Sequence, residues 1–448
     1  MNVTSRESPV ADGKVLVTVS TFDGQYKLTD LPAISLYQHT SSANIIIEVD
    51  LGKTAQELLG MGASLDHATC SNLQKLPLKQ REMVIKSLVS PKVGIGMNLM
   101  RLCIGTSDFT GEPYYTYNDL PDGEMDSELS RFSIDKDRSY IIPTIKMAKK
   151  ANKDLLFFAS PWSPPAWMKT SGKLGTGSLK REYFDVYARY LLRYVQAYQE
   201  EGIHIHALTL QNEPQHQDRR YPTTIMSAID QRDFIRDHIG PLFRSKRIKT
   251  KIWCWDHNWN LPSFPTTILS DPQAAQYVDG TAFHHYEGTV DAQSALKRDF
   301  PDKDIYFTEG SLFGIDGALS LIDILRNDAR SYNAWVILLD EHRKPNRGPH
   351  PASATCIELL DDGSIRTNFD YYMQGQFMKF LGSGAVRLAS SDGSKTCRNV
   401  AFLSKDGITT LVIANDAMSP AERTIVSGTK QFDIKLPPKS IATFRWRV

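Results

Sequence analysis

The amino-acid sequence predicts an α/β fold, a (β/α)8 TIM barrel with a β-sandwich side domain built from both termini. Eight short apolar runs recur through the middle of the chain, and stretches with helical periodicity separate most of them. The runs show little alternation of polar and apolar residues, which is typical of strands buried on both faces of a parallel sheet. Eight such strands with helices between them are the number that a closed α/β barrel requires.

The predicted barrel strands, in order, are Leu58–Ala63, Met97–Ile104, Leu155–Ser160, Ala207–Gln211, Lys251–Trp255, Val278–His285, Ile305–Thr308 and Ala334–Leu339. The intervening helices with the clearest apolar spacing are Ile141–Lys150, Tyr183–Glu200, Arg232–Phe243 and Ala318–Arg326. A doubly wound open sheet is the alternative, and it would be expected to carry a glycine-rich dinucleotide-binding turn after its first strand. Here Gly60-Met61-Gly62 continues as Ala63-Ser64-Leu65, so that turn is absent.

Both ends of the chain have the alternating, turn-punctuated pattern of antiparallel strands. These predicted strands are Lys14–Val19, Asn44–Val49, Val400–Leu403, Thr409–Ile413, Thr424–Ser427, Phe432–Ile434 and Ser440–Arg447. We therefore predict N-terminal strands of the side domain in residues 1–50, the barrel in residues 51–380 and the C-terminal part of the sandwich in residues 381–448.

Composition excludes several classes of protein. The formal net charge of the 448 residues is +1, so no general basic field is available for nucleic acid. No apolar run is long enough to cross a membrane, and five cysteines without a CxxC spacing argue against a disulfide framework or a cysteine-type zinc site. The segment Met1–Gly13 is polar and lacks the apolar core of a signal peptide, so we expect a cytoplasmic protein or a secreted one whose signal has been removed. The oligomeric state stays open.

Two glutamates follow predicted barrel strands, and functional residues of such barrels stand at the carboxyl ends of the strands. Glu213 follows the fourth strand in Gln211-Asn212-Glu213-Pro214, and Glu309 ends the seventh in Thr308-Glu309-Gly310. Because the barrel closes on itself, both side chains should point into one mouth. Cleavage of a glycosidic bond needs two opposed carboxylates, one to protonate the leaving oxygen and one to attack or to activate water.

The chain resembles glycoside hydrolase family 30, the glucosylceramidase family, from about Leu58 to the C-terminus. The matching segments are Gly60-Met61-Gly62-Ala63, Asn98-Leu99-Met100-Arg101, Ser107-Asp108-Phe109, Ser160-Pro161-Trp162-Ser163-Pro164-Pro165-Ala166-Trp167-Met168-Lys169, Gln211-Asn212-Glu213-Pro214, His284-His285-Tyr286 and Thr308-Glu309-Gly310. The resemblance implies the predicted barrel and sandwich, and a retaining mechanism with Glu213 as general acid/base and Glu309 as nucleophile. Neither role requires a cofactor or a metal ion.

Six further residues are expected to bind substrate or to support the two glutamates. Arg101 interrupts an apolar strand, and a buried arginine needs a carboxylate partner, for which we expect Glu309. The other five are expected to contact sugar hydroxyls, stack on the sugar, or donate a hydroxyl to Glu309; they are Asp108, Trp162, Asn212, His284 and Tyr286.

We expect a carbohydrate or glycolipid substrate, with a terminal β-glucosyl bond such as that of glucosylceramide favoured over β-1,6-glucan or a β-xyloside. Two departures concern the aglycone side: Leu338 stands where glucosylceramidases carry a tryptophan, and a basic loop with Arg343, Lys344 and Arg347 follows. Two other classes remain as alternatives. One is a metal hydrolase that would use His204-Ile205-His206, although this pair precedes its strand, and the other is a non-catalytic carbohydrate-binding protein.

Overall fold

The computed structural model describes residues 10–40 and 44–447, so most of the polar segment Met1–Gly13 lies outside the described residues. The strands are β1 Lys14–Thr21, β2 Thr29–Ser35, β3 Tyr37–Gln38, β4 Ile45–Glu57, β5 Gly60–Ala63, β6 Leu99–Ile104, β7 Leu156–Pro161, β8 Ile205–Thr209, β9 Lys251–Asn258, β10 Gly280–His284, β11 Asp304–Glu309, β12 Ser331–Ala334, β13 Leu338–Asp340, β14 Ile357–Leu359, β15 Ile365–Thr367, β16 Val386–Ser390, β17 Cys397–Leu403, β18 Thr409–Asn415, β19 Ala421–Ser427, β20 Lys430–Leu436 and β21 Ser440–Trp446.

The α-helices are α1 His67–Lys75, α2 Leu78–Val89, α3 Asp135–Arg138, α4 Ile141–Ala151, α5 Phe184–Glu200, α6 Ala228–Phe234, α7 Gly240–Ser245, α8 Ser263–Leu269, α9 Pro272–Ala275, α10 Asp291–Asp299, α11 Gly314–Arg326 and α12 Phe369–Met378. A π-helical turn, Ile235–Ile239, joins α6 to α7, so the helix predicted there is continuous but irregular. None of these helices combines the length and the apolar character needed to span a bilayer.

Strands β5 to β12 form the predicted barrel. Strands β6 to β11 make one parallel sheet, and β5 pairs with β12 in parallel. Single bridges between Ser64 and Arg101 and between Gly310 and Ala334 join this pair to the two edges of the sheet and close the barrel. The approach of β5 to β6 requires a glycine, because a Cβ on Gly62 would lie 2.1 Å from the Leu99 carbonyl oxygen.

The predicted position of the eighth strand, Ala334–Leu339, is wrong. The barrel strand β12 ends where that prediction begins, and Leu338 belongs to β13, which pairs with β14 outside the barrel. The apolar run that suggested the strand is buried, but its side chains divide between the main core (Ala334, Ile337 and Leu338) and a smaller cluster (Trp335, Val336 and Leu339) that includes Phe109 and Trp162. Burial alone therefore did not distinguish a barrel strand from the connection that follows it.

Inside the barrel, an apolar layer of side chains is followed directly by a polar layer, two residues further along the strands. An apolar layer fills the lower interior and consists of Leu99, Phe158, Ala207, Trp253, Ala282 and Tyr306. Successive side chains of a strand point to opposite faces, so the next inward residue lies two positions further on. On five of these six strands that residue is polar: Arg101, Ser160, Thr209, His284 and Thr308, all buried. The polar layer forms the floor of the candidate site.

The side domain is one ten-stranded sheet, folded around its own apolar core, in the order β2-β1-β21-β18-β17-β16-β4-β19-β20-β3. Strand β4 pairs with β19 through its first half and with β16 through its second. It reaches Glu57, so the side domain extends beyond the boundary predicted at residue 50. The residues Gly52–Gln56 are polar and mostly exposed, and their pattern gives no strand signal without the pairing partner.

Candidate active site

Glu309 ends β11 and contacts two side chains that orient its carboxylate. Its Oε2 accepts a hydrogen bond from Arg101 Nη1, and its Oε1 accepts one from the Tyr286 hydroxyl at 2.8 Å. Arg101 is 1% exposed, and it also donates to Asp256 at 3.0 Å, to Asn212 Oδ1 at 2.7 Å and to Ser160 Oγ at 3.2 Å. A guanidinium is always charged, so Glu309 has a permanent positive partner.

Glu213 lies in the loop after β8, in the left-handed region of backbone conformation with φ +48°. Its backbone N–H donates to the carbonyl oxygen of Asp256 at 3.0 Å. Asp256 itself has φ +71° and follows Trp255 with φ +74°, so β9 bulges at this point. Positive φ is uncommon for residues other than glycine, and here three such residues meet where Glu213 enters the cavity.

The two glutamates face each other across a short gap. One carboxylate oxygen of Glu213, one of Glu309 and one ring nitrogen of His284 all lie within 4.8 Å of one another. Carboxyl groups of retaining glycosidases are about 5–5.5 Å apart, whereas inverting enzymes leave a gap of about 6.5–9.5 Å for a water molecule. An oxygen–oxygen approach within 4.8 Å is compatible with the shorter geometry.

Glu213 and His284 form a charge pair that shares a buried environment. His284 Nδ1 lies 3.4 Å from Glu213 Oε1, and His284 Nε2 lies 3.0 Å from Asp256 Oδ1. Burial lowers the pKa of His284, but the negative charge of Glu309 and the contacts with Asp256 and Glu213 raise it to about 9. Burial raises the pKa of Glu213, but His284, followed by His257 and His216, outweighs burial and lowers the pKa to about 2. The pair therefore holds a proton at neutral pH.

Asp256 anchors this arrangement from below. It is fully buried, and it accepts hydrogen bonds from Thr209 Oγ1 at 2.6 Å and from Thr308 Oγ1 at 2.7 Å. Burial raises its pKa, but Arg101 and His284 more than compensate and hold the pKa below the ordinary value. The carboxylate links the fixed cation beside Glu309 to the titratable imidazole beside Glu213.

The glutamates open into a cavity of about 630 Å³, a size common for ligand sites. Its lining is mainly polar and aromatic: Asp108, Phe109, Glu213, Gln215, His216, Tyr221, Trp255, His257, Asn258, Asn260, Leu261, Tyr286, Glu287, Glu309, Ser311, Trp335, His350, Pro351, Ala352 and Ser353. Among the described residues, Asp108 forms no ion pair with a cationic side chain. Burial, together with the charges of Glu309 and Glu213, raises the pKa of Asp108 well above the ordinary value.

The structure brings Glu213, Glu309, Asp108 and Tyr286 together at this cavity, as the sequence predicts. Asn212 lies beside it, with Oδ1 held by Arg101 and its amino group free of protein acceptors among the described residues. Arg101 lies beneath Glu309, where it contacts that carboxylate rather than a ligand.

Two residues predicted to contact substrate, Trp162 and His284, are not among the residues that line the cavity. Trp162 is 3% exposed and stacks on Trp335 with ring centroids 5.2 Å apart, so the ring that lines the cavity is Trp335. His284 has no exposed surface and acts on Glu213 from behind the cavity wall. Trp162 packs against Trp335, and His284 contacts Glu213 and Asp256; these contacts join segments that are distant in the sequence.

The predicted aglycone departures also have a structural explanation. Leu338 is buried in β13 and does not line the cavity. In the basic loop, Arg343 pairs with the buried carboxylate of Glu358, while the backbone N–H groups of Arg347 and Gly348 donate to the Asp108 carbonyl oxygen at 3.0 and 3.2 Å. The loop therefore positions Asp108.

Asp256 and Trp335 are the important residues that the sequence analysis missed. Asp256 directly follows the predicted strand Lys251–Trp255, so the rule that found the glutamates also applied to it. Trp335 is the first residue after the true eighth strand, and the misplaced boundary concealed it.

The alternative metal site is not supported by position. His206 lies at the start of β8, at the opposite end from Glu213, and His204 is exposed. Among the described residues, neither histidine belongs to a group of three potential metal ligands.

Comparison with known proteins identifies the family. The model of the glycosyl hydrolase family 30 TIM-barrel domain matches residues 58–328, and the model of the family 30 beta sandwich domain matches residues 384–444. The chain belongs to glycoside hydrolase family 30. It is therefore a glycosidase, with the barrel and sandwich that its sequence predicts.

Family 30 relatives differ in the substrates that their names give. An endo-1,6-β-D-glucanase of Aspergillus fumigatus is 31% identical over 94% of this chain and 92% of that protein. The mouse lysosomal acid glucosylceramidase is 28% identical over 93% of this chain and 86% of that protein. A solved endo-β1,6-glucanase superimposes with a TM-score of 0.87 at 27% identity, covering 98% of this chain and all of that one.

Proposed function

We propose that the protein is a retaining β-glucoside hydrolase whose substrate is a β-1,6-linked glucan. The observation that carries the mechanism is the short gap between Glu213 and Glu309, combined with their different partners. One carboxylate has a fixed cation and a phenol, as an attacking group needs. The other shares a proton with an imidazole, as a group that gives and takes a proton needs.

In the first step, a Glu309 oxygen attacks the anomeric carbon while the Glu213–His284 pair supplies a proton to the leaving oxygen through Glu213. A covalent glycosyl ester forms on Glu309, and its negative charge disappears. That charge is a principal reason for the raised pKa of His284, so the pair, which has given its proton to the leaving oxygen, takes up another from solvent less readily in the intermediate. Glu213 can then accept a proton from the water that hydrolyses the ester.

Asp108 and Asn212 supply the polar contacts for the glucosyl unit. Asp108 is a carboxyl group in a cavity without a cationic partner, and sugar hydroxyls are the donors that it lacks. Asn212 has its carbonyl oxygen held by Arg101, so its amino group is turned to donate to a hydroxyl beside the anomeric carbon. Trp335 lines the cavity and offers an aromatic face against which the glucosyl ring can pack.

The polar rim favours a sugar over a lipid as the leaving portion. Asn258, Asn260 and Glu287 line one part of the cavity, and His216 and His350 line another. A second glucose unit presents hydroxyls to such groups, whereas two alkyl chains would leave them without partners. The similarity to endo-1,6-β-D-glucanases supports the same choice. The exposed Leu261 and the neighbouring Pro351 and Ala352 are the observation that keeps glucosylceramide as the second candidate.

The test compares two substrates under the same conditions. Purified protein is incubated with soluble β-1,6-glucan and with micellar glucosylceramide, and products are separated by chromatography and identified by mass. We expect glucose or gluco-oligosaccharides from the glucan, and no products with Glu309→Gln as the matched control for contaminating hydrolases. Ceramide release without hydrolysis of the glucan would reject the proposed substrate and leave the retaining mechanism standing.

A further inference from the structure

A second group of side chains lies at the rim of the cavity, and the hydrolytic mechanism does not use it. His216 and Asp218 belong to the loop after β8, and His350 belongs to the loop between β13 and β14. One possible ligand atom from each of the three lies within 4.8 Å of the others. Two imidazoles and one carboxylate are a ligand set for zinc that leaves a fourth position open.

The surroundings of these side chains suit a cation. His216 Nε2 is buried and has no hydrogen-bond partner among the described residues. In the described part of the chain, Asp218 accepts hydrogen bonds from Arg220 alone, on Oδ1 from the backbone N–H at 2.7 Å and from Nε at 3.0 Å, and on Oδ2 from Nε at 3.2 Å and from Nη2 at 2.6 Å. These contacts occupy the lone-pair directions of the carboxylate, so an ion that binds Asp218 has to displace the exposed Arg220 side chain from one oxygen. The His350 side chain is exposed, and its ring centroid lies 6.5 Å from that of His216.

We propose that His216, Asp218 and His350 bind Zn²⁺, and that the bound ion closes the aglycone side of the cavity. Imidazole ligands favour zinc and similar transition metals over calcium or magnesium. His216 and His350 both line the cavity, so an ion between them occupies space that the leaving portion needs. The His216 backbone N–H also donates to the Glu213 carbonyl oxygen at 2.8 Å, which ties the metal ligand to the loop that carries Glu213.

Two other groups among the described residues have comparable spacing and serve as internal comparisons. Glu213, His284 and Glu309 form one, but Arg101 already holds Glu309. Glu341, His342 and Asp361 form the other, with a single imidazole and three exposed side chains. This second group offers one imidazole, whereas the proposed site offers two, so it serves as a control for non-specific binding at the surface.

The direct test is calorimetric titration of ZnCl₂ into the full chain after dialysis against EDTA and then against metal-free buffer. We expect one ion per chain. His350→Gln should weaken binding at least ~10-fold, as even outer-shell losses do, whereas His342→Gln should leave it unchanged. Arg220→Gln frees the Asp218 carboxylate and should tighten binding by up to ~5-fold, the upper range for an exposed ion pair. Equal binding by wild type and His350→Gln, or loss of binding in His342→Gln, would overturn the site.

Enzyme kinetics with and without zinc test whether the bound ion closes the aglycone side of the cavity. The EDTA-treated enzyme should hydrolyse an aryl β-glucoside at its full rate, because no hydrolytic step needs a metal ion. Added Zn²⁺ should inhibit wild type, and His350→Gln should need at least ~10-fold more zinc for the same fractional inhibition. Zinc that binds without inhibiting would refute the closing role. Inactivity of the metal-free enzyme would instead count against the proposed glycosidase mechanism, and the titration would still decide the zinc site.

Discussion

The surroundings of Glu309 and Glu213 differ more than their positions do. Both follow barrel strands and both reach the same cavity. Glu309 contacts Arg101, whose charge is permanent, and the Tyr286 hydroxyl. Glu213 Oε1 lies 3.4 Å from His284 Nδ1 and 3.9 Å from His257 Nε2. The charge of both histidines depends on pH.

This difference is the basis for the different roles that we propose for the two glutamates. A permanent charge gives a carboxylate the same electrostatic partner at every pH. A titratable neighbour allows the proton to move when the charge of the site changes. Asp256 contacts both sides, so the two environments are parts of one hydrogen-bonded unit rather than separate sites.

Replacing Glu309, the proposed nucleophile, should have the largest effect on activity. Glu309→Gln keeps the shape of the side chain but removes the attacking charge. We expect kcat/KM for an aryl β-glucoside to fall at least ~10⁴-fold, which corresponds to about 5.5 kcal/mol of barrier. A 2-fluoro glucoside should label wild type at Glu309, and a label mapped to another peptide would contradict this assignment.

Replacing the acid/base should give a smaller loss that depends on the leaving group. Glu213→Ala removes the proton donor, so a substrate with a poor leaving group should lose ~10²–10⁴-fold in rate. An activated aryl glucoside needs little protonation, and its first step should be spared. Rates measured across a series of phenyl leaving groups test this; equal losses along the series would rule out the acid role of Glu213.

Removing the fixed cation should cost stability as well as activity. Arg101→Met leaves Asp256 and Glu309 buried without their shared partner, and breaking such a pair costs about 3–5 kcal/mol of unfolding free energy. Urea denaturation of both proteins measures the difference. Arg101→Lys is the control, because it keeps the charge but lacks the forked geometry, and should lose less. A Met variant as stable as wild type would mean that Arg101 does not compensate these carboxylates.

Much of this arrangement was accessible from the sequence, and the exceptions share a physical cause. Glu213 and Glu309 follow apolar runs directly, so strand counting found them. Asp256 turns inward because β9 bulges at two left-handed residues; strict alternation would place Trp255 on the inner face instead. Alternation of side chains is a property of regular strands, and it fails where the backbone is irregular.

The aromatic wall shows a second limit. The sequence placed a tryptophan at the mouth, but it did not reveal that Trp335 covers Trp162. Which of two stacked rings faces the cavity depends on contacts between β7 and the loop after β12, segments far apart in the chain. Periodicity carries information about neighbours along the chain and little about such contacts.

The smallest expected effect is a shift in the pH dependence of activity, which tests the titratable surroundings of Glu213. The Glu213–His284 pair holds its proton until the pH approaches the His284 pKa of about 9, so the basic limb of kcat/KM should lie near that value in wild type. In His284→Gln the proton rests on the Glu213 carboxyl alone, and the limb should move at least ~1 pH unit lower, or about 1.4 kcal/mol. His257→Gln is the matched control: burial lowers the His257 pKa to about 4, so this ring is neutral near pH 7 and its loss should not move the limb.

The free energy of unfolding should depend on pH through the same His284 titration. A raised folded pKa contributes stability below the ordinary value of 6.5, and that contribution disappears as the pH rises through about 9. Urea denaturation at pH 6 and pH 9.5 should therefore show a larger drop for wild type than for His284→Gln. An unchanged basic limb in His284→Gln would mean that the proton belongs to Glu213 alone.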